Sequence, residues 1–424
     1  MKRNFINVCI TFVFAIVLVA SCAAPGAKEP AGPKILKIGC VMPFSGSASL
    51  WGLSIKPVME IYRDLINSDG GWQIGDDKYT IELYFTDGPI FSVPADAAAT
   101  RSLVYDNKVS AIVSYFGIGY SAVAPITTAE KVILNSSTIS MGTYNSEKEP
   151  YSIFGFPAAE MSINQAMAVM QAFPQYKTLC WTGTKGGNVE IEKIYGPVDE
   201  AIEKKYGVKS IRLYYPEGTT NYTSYLIKMA EMGAQVLFSF GSPLEVGLMA
   251  KQRHELGYNW PIIQNASVLD TNVVKGLAGS QEAMQNICGD YCYPWVLKKV
   301  QVAPRYLDMA NRIRAEFKLK NGGKEPYAGA FAVGAVSMEQ YLEGVQMAGT
   351  IDPDKVMSVL RGGTVETFLG KYTLSGKQAY GSPVIFGFPC SMSVIKGIEN
   401  VYLNEEPMWD VDHPVADVTS IMSK

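Results

Sequence analysis

Only two histidines, His254 and His413, occur in the 424 residues, so imidazole acid/base chemistry and His-rich metal sites lack raw material. A serine hydrolase needs its nucleophile on a G-x-S-x-G elbow. No such run occurs: Gly119-Tyr-Ser-Ala-Val fails at its last position, and His254 sits in a polar helical run, a poor place for a triad base. Gly117-Ile-Gly-Tyr-Ser-Ala122 does fit G-x-G-x-x-A between a strand and a helix, the pattern that cradles a dinucleotide pyrophosphate. It falls in the third strand-turn unit, however, and the next strand ends in Asn135, with no acid for a ribose. A dinucleotide enzyme is therefore the weaker alternative, and neither cofactor, metal nor catalytic residue is expected. What remains to do chemistry is a set of turns rich in Gly, Ser, Thr, Asn and aromatics and poor in charge.

Those turns must be carried by something. From Lys34 the chain repeats a short apolar run, a Gly/Ser/Pro turn and an amphipathic stretch, the signature of parallel α/β architecture. The clearest strands are 35–42, 79–85, 110–116, 132–134, 178–181, 210–215, 236–240 and 261–263. Trp51, Ile55, Val58, Met59, Tyr62, Leu65 and Ile66 recur at helical spacing, as do Tyr222, Tyr225, Leu226, Met229 and Met232. Pro57 means that the first helix starts near Lys56 or kinks there. Helical stretches follow at 305–320, 327–347 and 354–360, then a β-rich tail from Pro383 to Leu403. Two α/β sets, roughly 35–156 and 157–293, imply two lobes, with function at the carboxyl ends of the strands.

Basic and acidic residues nearly balance, Lys+Arg 37 against Asp+Glu 40, with no basic block, so nucleic acid is not an expected partner. Lys2 and Arg3 precede an apolar run from Phe5 to Ala20, too short to span a bilayer, which reads as a signal peptide over 1–21. Leu18-Val-Ala-Ser-Cys22 looks like the lipobox of bacterial lipoproteins, which would make Cys22 the acylated residue and 22–34 a flexible linker. An exported, lipid-anchored protein on a periplasmic or extracellular membrane face is expected. Cys40, Cys180, Cys288, Cys292 and Cys390 then remain, an odd number that leaves a free thiol. Cys288 and Cys292 lie on a strand-like run, where four residues separate Cα atoms by about 13 Å against a bridging limit near 7 Å. That pairing is rejected unless the segment turns at Gly289.

The loops carry a resemblance. Ile38-Gly-Cys-Val-Met-Pro-Phe-Ser-Gly, then Trp51-Gly52, then Ile66-Asn-Ser-Asp-Gly-Gly71 resembles the opening of type I periplasmic binding proteins of the leucine/isoleucine/valine-binding family. Further matches follow in order: Ala124-Pro-Ile, Leu134-Asn-Ser-Ser-Thr, Thr220-Asn-Tyr-Thr-Ser-Tyr, Lys251-Gln-Arg-His-Glu-Leu-Gly, Tyr327-Ala-Gly-Ala-Phe and Leu360-Arg-Gly-Gly. The resemblance implies two doubly wound parallel-sheet lobes joined by three chain crossings, near Phe156, Tyr293 and Ser382. Lobe one would hold 35–156 and 294–382, lobe two 157–293 and 383–424. It further implies a monomer that closes on a small solute and hands it to an ABC permease, or a solute-sensing receptor of the same fold.

The site transfers unevenly. Trp51 stands where an aromatic covers the ligand, and Gly119, Tyr120 and Ser121, with Ser137 and Thr138, stand in the loops that hold a ligand carboxylate. Trp181 and Phe240, with Trp51 and Tyr120, would suit an apolar or aromatic ligand body. In lobe two the chain reads Gln264-Asn265-Ala266, and Ala266 falls where amino-acid binders carry the acid that pairs with the ligand ammonium. Asp270 is four residues late. A buried ammonium without a counter-charge costs several kcal/mol, so the residues favour a carboxylate or amide with no obligatory ammonium, branched-chain amino acids being the family default.

Overall fold

The computed structural model describes residues 34–406 except 47, 90–91, 115–118, 140–143, 186–198, 265–271, 291–293, 296, 299, 327, 388–389 and 398. The signal segment, Cys22 and the linker lie outside the described residues, as do Cys292, Asn265 and Asp270. Cys390 opens a strand, while Cys40, Cys180 and Cys288 are buried free thiols.

The chain begins with β1 (Lys34–Met42), α1 (Ser49–Ser68), β2 (Trp72–Ile74), β3 (Asp77–Asp87), α2 (Val93–Arg101), β4 (Ala111–Ser114), α3 (Tyr120–Ala129), β5 (Ile133–Ile139) and β6 (Ser152–Pro157). These strands form a six-stranded sheet in the order β2-β3-β1-β4-β5-β6. All its pairs are parallel except β2 with β3, so the strands of the parallel part end on one edge. β1 is buried from Ile38 to Met42 without alternation, as expected of a strand covered on both faces. α1 buries Ile55, Val58, Met59, Tyr62 and Ile66 as its spacing requires, and Pro57 lies inside it. The carbonyl that Pro57 leaves without a helical partner belongs to Leu53, which is exposed, so solvent can serve it.

The second series is α4 (Ala158–Ala172), β7 (Thr178–Thr184), α5 (Asp199–Tyr206), β8 (Lys209–Tyr215), α6 (Thr223–Glu231), β9 (Val236–Ser239), α7 (Pro243–Glu255), β10 (Ile262–Gln264), α8 (Asn272–Ala278), α9 (Gln281–Met284) and β11 (Ile287–Asp290). Then come α10 (Pro304–Lys320), α11 (Ala328–Ala330), a π-helical turn at Phe331–Ala335, α12 (Val336–Ala348), α13 (Pro353–Leu360), β12 (Thr364–Thr367), β13 (Gly370–Thr373), α14 (Lys377–Tyr380), β14 (Cys390–Lys396) and β15 (Glu399–Glu406). The second sheet runs β15-β14-β11-β10-β9-β7-β8. It is parallel from β11 to β8, with β14 and β15 added antiparallel.

α12 returns to the first sheet. Asn135 on β5, fully buried, donates to Ser337 O at 2.7 Å and to Gln340 Oε1 at 3.0 Å. The strand-like segment around Ile385 then pairs beside β6, with Phe386 N–H donating to Phe154 O at 2.8 Å, before β14 joins the second sheet. No helix among the described residues is long and apolar enough to cross a membrane.

Candidate functional site

The register of the first sheet places Met42 beside Asp87, Val41 beside Ser114 and Ser114 beside Ser136. Its carboxyl edge is therefore a row of small polar residues. Asp87 Oδ1 accepts from the N–H groups of Phe44 (2.7 Å) and Ser45 (3.2 Å), fixing the turn into α1. Trp51 lies in the first turn of that helix, half-buried against the core. The glycine beside it has a packing reason: a Cβ on Gly52 would sit 2.1 Å from Pro43 O, so only glycine lets α1 press on this turn.

On β5, Asn135 and Ser137 share one face and Ser136 takes the other. Ser137 is fully buried, and its hydroxyl has no hydrogen-bond partner among the described residues; the buried Ser114 hydroxyl is in the same position. Thr138 belongs to β5 and pairs with Phe156. Gly119 precedes α3 and is buried, Ser121 is exposed in its first turn, and Tyr120 is buried against Phe154, ring centroids 5.2 Å apart. The Tyr120 hydroxyl reaches Glu149 Oε2 (3.0 Å) and Ser152 Oγ (2.9 Å), so it ties α3 to β6. Burial raises its pKa.

Beneath this loop lies a group that sequence reasoning missed. Asp96, in the first turn of α2, is buried with Oδ1 unpartnered among the described residues. A Cβ on Gly119 would lie 1.9 Å from its Oδ2, and one on Gly88 2.7 Å from its Oδ1, so two glycines let the backbone close over the carboxyl. Burial, and then the charge of Asp87, push Asp96 up to about 7. In sequence an acid at a helix start reads as a surface complement to the helix dipole; its burial depends on two distant glycines and has no local signal.

The edge of the second sheet is built differently. Thr182, Ser239 and Gln264 are neighbours in register and fully buried. Thr182 Oγ1 donates to Leu213 O at 2.7 Å, Ser239 Oγ accepts from Gly241 N–H at 3.1 Å, and Gln264 Nε2 donates to Gly241 O at 2.7 Å. Glu245 belongs to the capping box that starts α7, accepting from Ser242 N–H while Ser242 Oγ accepts from Glu245 N–H. The Ser-Pro-Leu-Glu run has the S-x-x-E spacing of such a box, a signal that sequence reasoning missed. Trp181 is fully buried in β7, tilted against Phe238 at 4.9 Å and stacked with Phe240 at 6.1 Å between ring centroids, and its Nε1 donates to Ser210 Oγ at 3.3 Å. Phe240, half-buried, packs on the same cluster. The structure thus brings Gly119, Tyr120 and Asp96 together, sets Ser137 and Thr138 on the same sheet edge, and places Trp181 and Phe240 in the packing of the second sheet.

The sequence profile of the family described as "Periplasmic binding protein" matches residues 35–383. The chain belongs to the periplasmic binding protein family. A Leu/Ile/Val-binding protein homolog 6 from Brucella suis is 26% identical over 243 residues, 55% of this chain and 58% of that relative, so the match spans little more than half of the relative's length. Among solved structures, LivJ of Streptococcus pneumoniae, a branched-chain amino acid transporter substrate-binding protein in complex with isoleucine, superposes with TM-score 0.68 at 18% identity, covering 89% of this chain and 99% of LivJ. A solute-binding protein of an ABC transporter from Rhodopseudomonas palustris, in complex with 3,4-dihydroxybenzoic acid, gives 0.65 at 17% identity, covering 90% and 99%. These periplasmic binding protein folds share the alternating parallel architecture described above.

Proposed function

We propose that this periplasmic binding protein is the solute receptor of an ABC importer, exported, anchored through Cys22, acting as a monomer without enzymatic activity. Its ligand is a small carboxylate, held in a cleft between lobe one (35–156 and 294–382) and lobe two (157–293 and 383–424). The observation that carries this reading is the Ser137 hydroxyl, buried and without a partner among the described residues, on the carboxyl edge of the first sheet. A buried hydroxyl left idle costs free energy, and an incoming carboxylate oxygen would relieve it. Thr138, Ser121, Gly119 and the α3 N-terminus supply further donors there, with Trp51 as the cover. Tyr120 positions the loop. Phe240, Asn265 and Asp270 are the contributions assigned to lobe two, with Trp181 behind Phe240.

The absence of an acid at Ala266 favours ligands without an ammonium group. One similar structure holds an amino acid and another a hydroxylated benzoic acid, so the fold accommodates both kinds of ligand. A thermal-shift screen of the chain from Cys22 onward against amino acids, their des-amino acids, benzoates and amides tests the reading, because a ligand that binds only the native state raises its melting temperature. Stabilisation by des-amino or aromatic carboxylates and not by leucine, isoleucine or valine is expected. Stabilisation by leucine alone would overturn the argument from Ala266.

A further inference from the structure

Away from the strand ends, the structure holds a cavity of about 200 Å³. Tyr62 lines it, and Tyr62 lies roughly 20 Å along α1 from the carboxyl edge at 1.5 Å per residue. Tyr62, Trp72 and Tyr306 form aromatic walls, and fully buried Glu339 forms the floor. Glu339 accepts from Tyr62 OH (3.3 Å) and Phe368 N–H (2.8 Å). One helical turn further, Glu343 is 6% exposed and its Oε1 has no hydrogen-bond partner among the described residues.

Arg305 lies at the mouth. Its guanidinium is 4.5 Å from the Tyr306 ring centroid, donates to Tyr306 OH at 2.7 Å, and stands 3.6 Å from Glu343 Oε2 and 3.6 Å from Glu366 Oε2. Two carboxylates therefore flank one guanidinium, and one of them, Glu343, is out of water like Glu339 on the cavity floor. Burial raises both Glu339 and Glu343 above the ordinary carboxylate range, opposed by the Phe368 N–H and Tyr62 OH at Glu339 and by Tyr306 and Arg305 at Glu343. Such a group takes up either a proton or a cation. Aromatic faces favour the cation, a carboxylate offers it a charge-assisted hydrogen bond, and Arg305 already displays both contacts.

We propose that this cavity binds a small organic cation, a primary ammonium or guanidinium on a short alkyl stem, which lies over Glu339 between the Tyr62, Trp72 and Tyr306 rings and displaces Arg305 to reach Glu343 beside the mouth. At roughly 30 Å³ per water-sized group the space holds on the order of six non-hydrogen atoms. The site is separate from the carboxylate site, and its existence does not depend on what that site binds. Arg305 competes with the ligand for Glu343, and a proton competes as well, so binding tightens as pH rises from 5 to 8.

The test is titration of the full chain with n-butylammonium, followed by the Trp72 indole N–H resonance, which reports here because Trp72 Nε1 donates to Leu342 O at 2.9 Å; Trp72→Phe assigns it. Neutral n-butanol and anionic butyrate are the matched controls. A saturable shift with the ammonium and with neither control is expected, at least tenfold weaker in Glu343→Gln, several-fold tighter in Arg305→Ala, and unchanged in Ser137→Ala. If Glu343→Gln does not fold, Arg305→Ala still decides, since Arg305 is largely exposed. An equal response to n-butanol, no response to the ammonium, or unaltered affinity in Arg305→Ala would overturn the proposal.

Discussion

The two sheets of this protein end in edges of similar composition that are put to different use. At the first, the hydroxyls of Ser114 and Ser137 are buried without a partner among the described residues. At the second, Thr182, Ser239 and Gln264 bond to nearby backbone groups, and Glu245 is held by the start of its own helix. A polar group that is already satisfied has little to gain from a ligand, whereas an idle one has its desolvation cost to recover. The first edge is thus the less satisfied of the two, although the second also holds one buried hydroxyl without a hydrogen-bond partner among the described residues, that of Tyr215 at the end of β8.

The largest effect expected from this contrast is on the stability of the second side. Arg253 on α7 is buried and donates to the carbonyls of Trp260, Ala283 (2.8 Å) and Gln285 (2.6 Å). Burial draws it down to about 10, so it remains charged at neutral pH. Arg253→Met keeps the stem and strands three carbonyls, at about 1–3 kcal/mol each. A loss of about 3–9 kcal/mol in urea melts is expected, with solute affinity intact at temperatures where the variant is folded. A loss below about 1 kcal/mol would break the view that this half is held by its internal polar bonds.

Ser137→Ala should do the reverse. A hydrogen bond to a charged ligand is worth about 1.5–3 kcal/mol, so the dissociation constant for the carboxylate identified by the screen should rise at least tenfold. Stability should stay level or increase, because an idle buried hydroxyl is removed. Calorimetric titration beside thermal melts separates the two; unchanged affinity would remove Ser137 from the site. Ala266→Glu sharpens the comparison from the other side. It supplies the acid that the second side lacks and should move the affinity ratio of leucine to its des-amino analogue about tenfold toward leucine. An unmoved ratio would mean that position 266 does not face the ligand.

Much of the architecture was legible in sequence because parallel strands covered on both faces must be apolar throughout, which is how β1, β7, β9 and β10 announce themselves. β6 did not: its run contains Gly155 and ends in Pro157, and it becomes a strand by pairing with β5, where a Cβ on Gly155 would come within 2.7 Å of Ser137 O. The β12–β13 hairpin was missed for the same reason, its strands being four residues each and specified by pairing. Ser137 was singled out through a motif. The placing of Trp181 could not be, since both faces of β7 are buried and alternation carries no information there. Asp96 needed tertiary structure altogether.

Asp96 offers a test through pH. Its carboxyl, pushed up to about 7, holds a proton in the folded chain that the unfolded chain releases near pH 4, so native stability should fall as pH rises between those values. Above 7 the carboxylate forms under the Gly119 loop and repels an anionic ligand, so affinity for the carboxylate should weaken several-fold from pH 6 to 8. Asp96→Asn removes both dependences. Parallel pH profiles in the two proteins would show that Asp96 is not coupled to the loop.

The smallest expected effect concerns the cap of α7. Ser242→Ala removes one side of the capping box and should cost about 1 kcal/mol. What makes this modest change informative is Glu245. Its carboxylate accepts from the backbone N–H of residue 242, which alanine keeps, so the acid should stay in place when the side-chain half of the box is lost. The variant should then melt slightly earlier while leucine still fails to bind. If leucine binding appears, the capping box is what keeps the second sheet's acid away from the ligand, and the contrast between the edges is one of selectivity as well as stability.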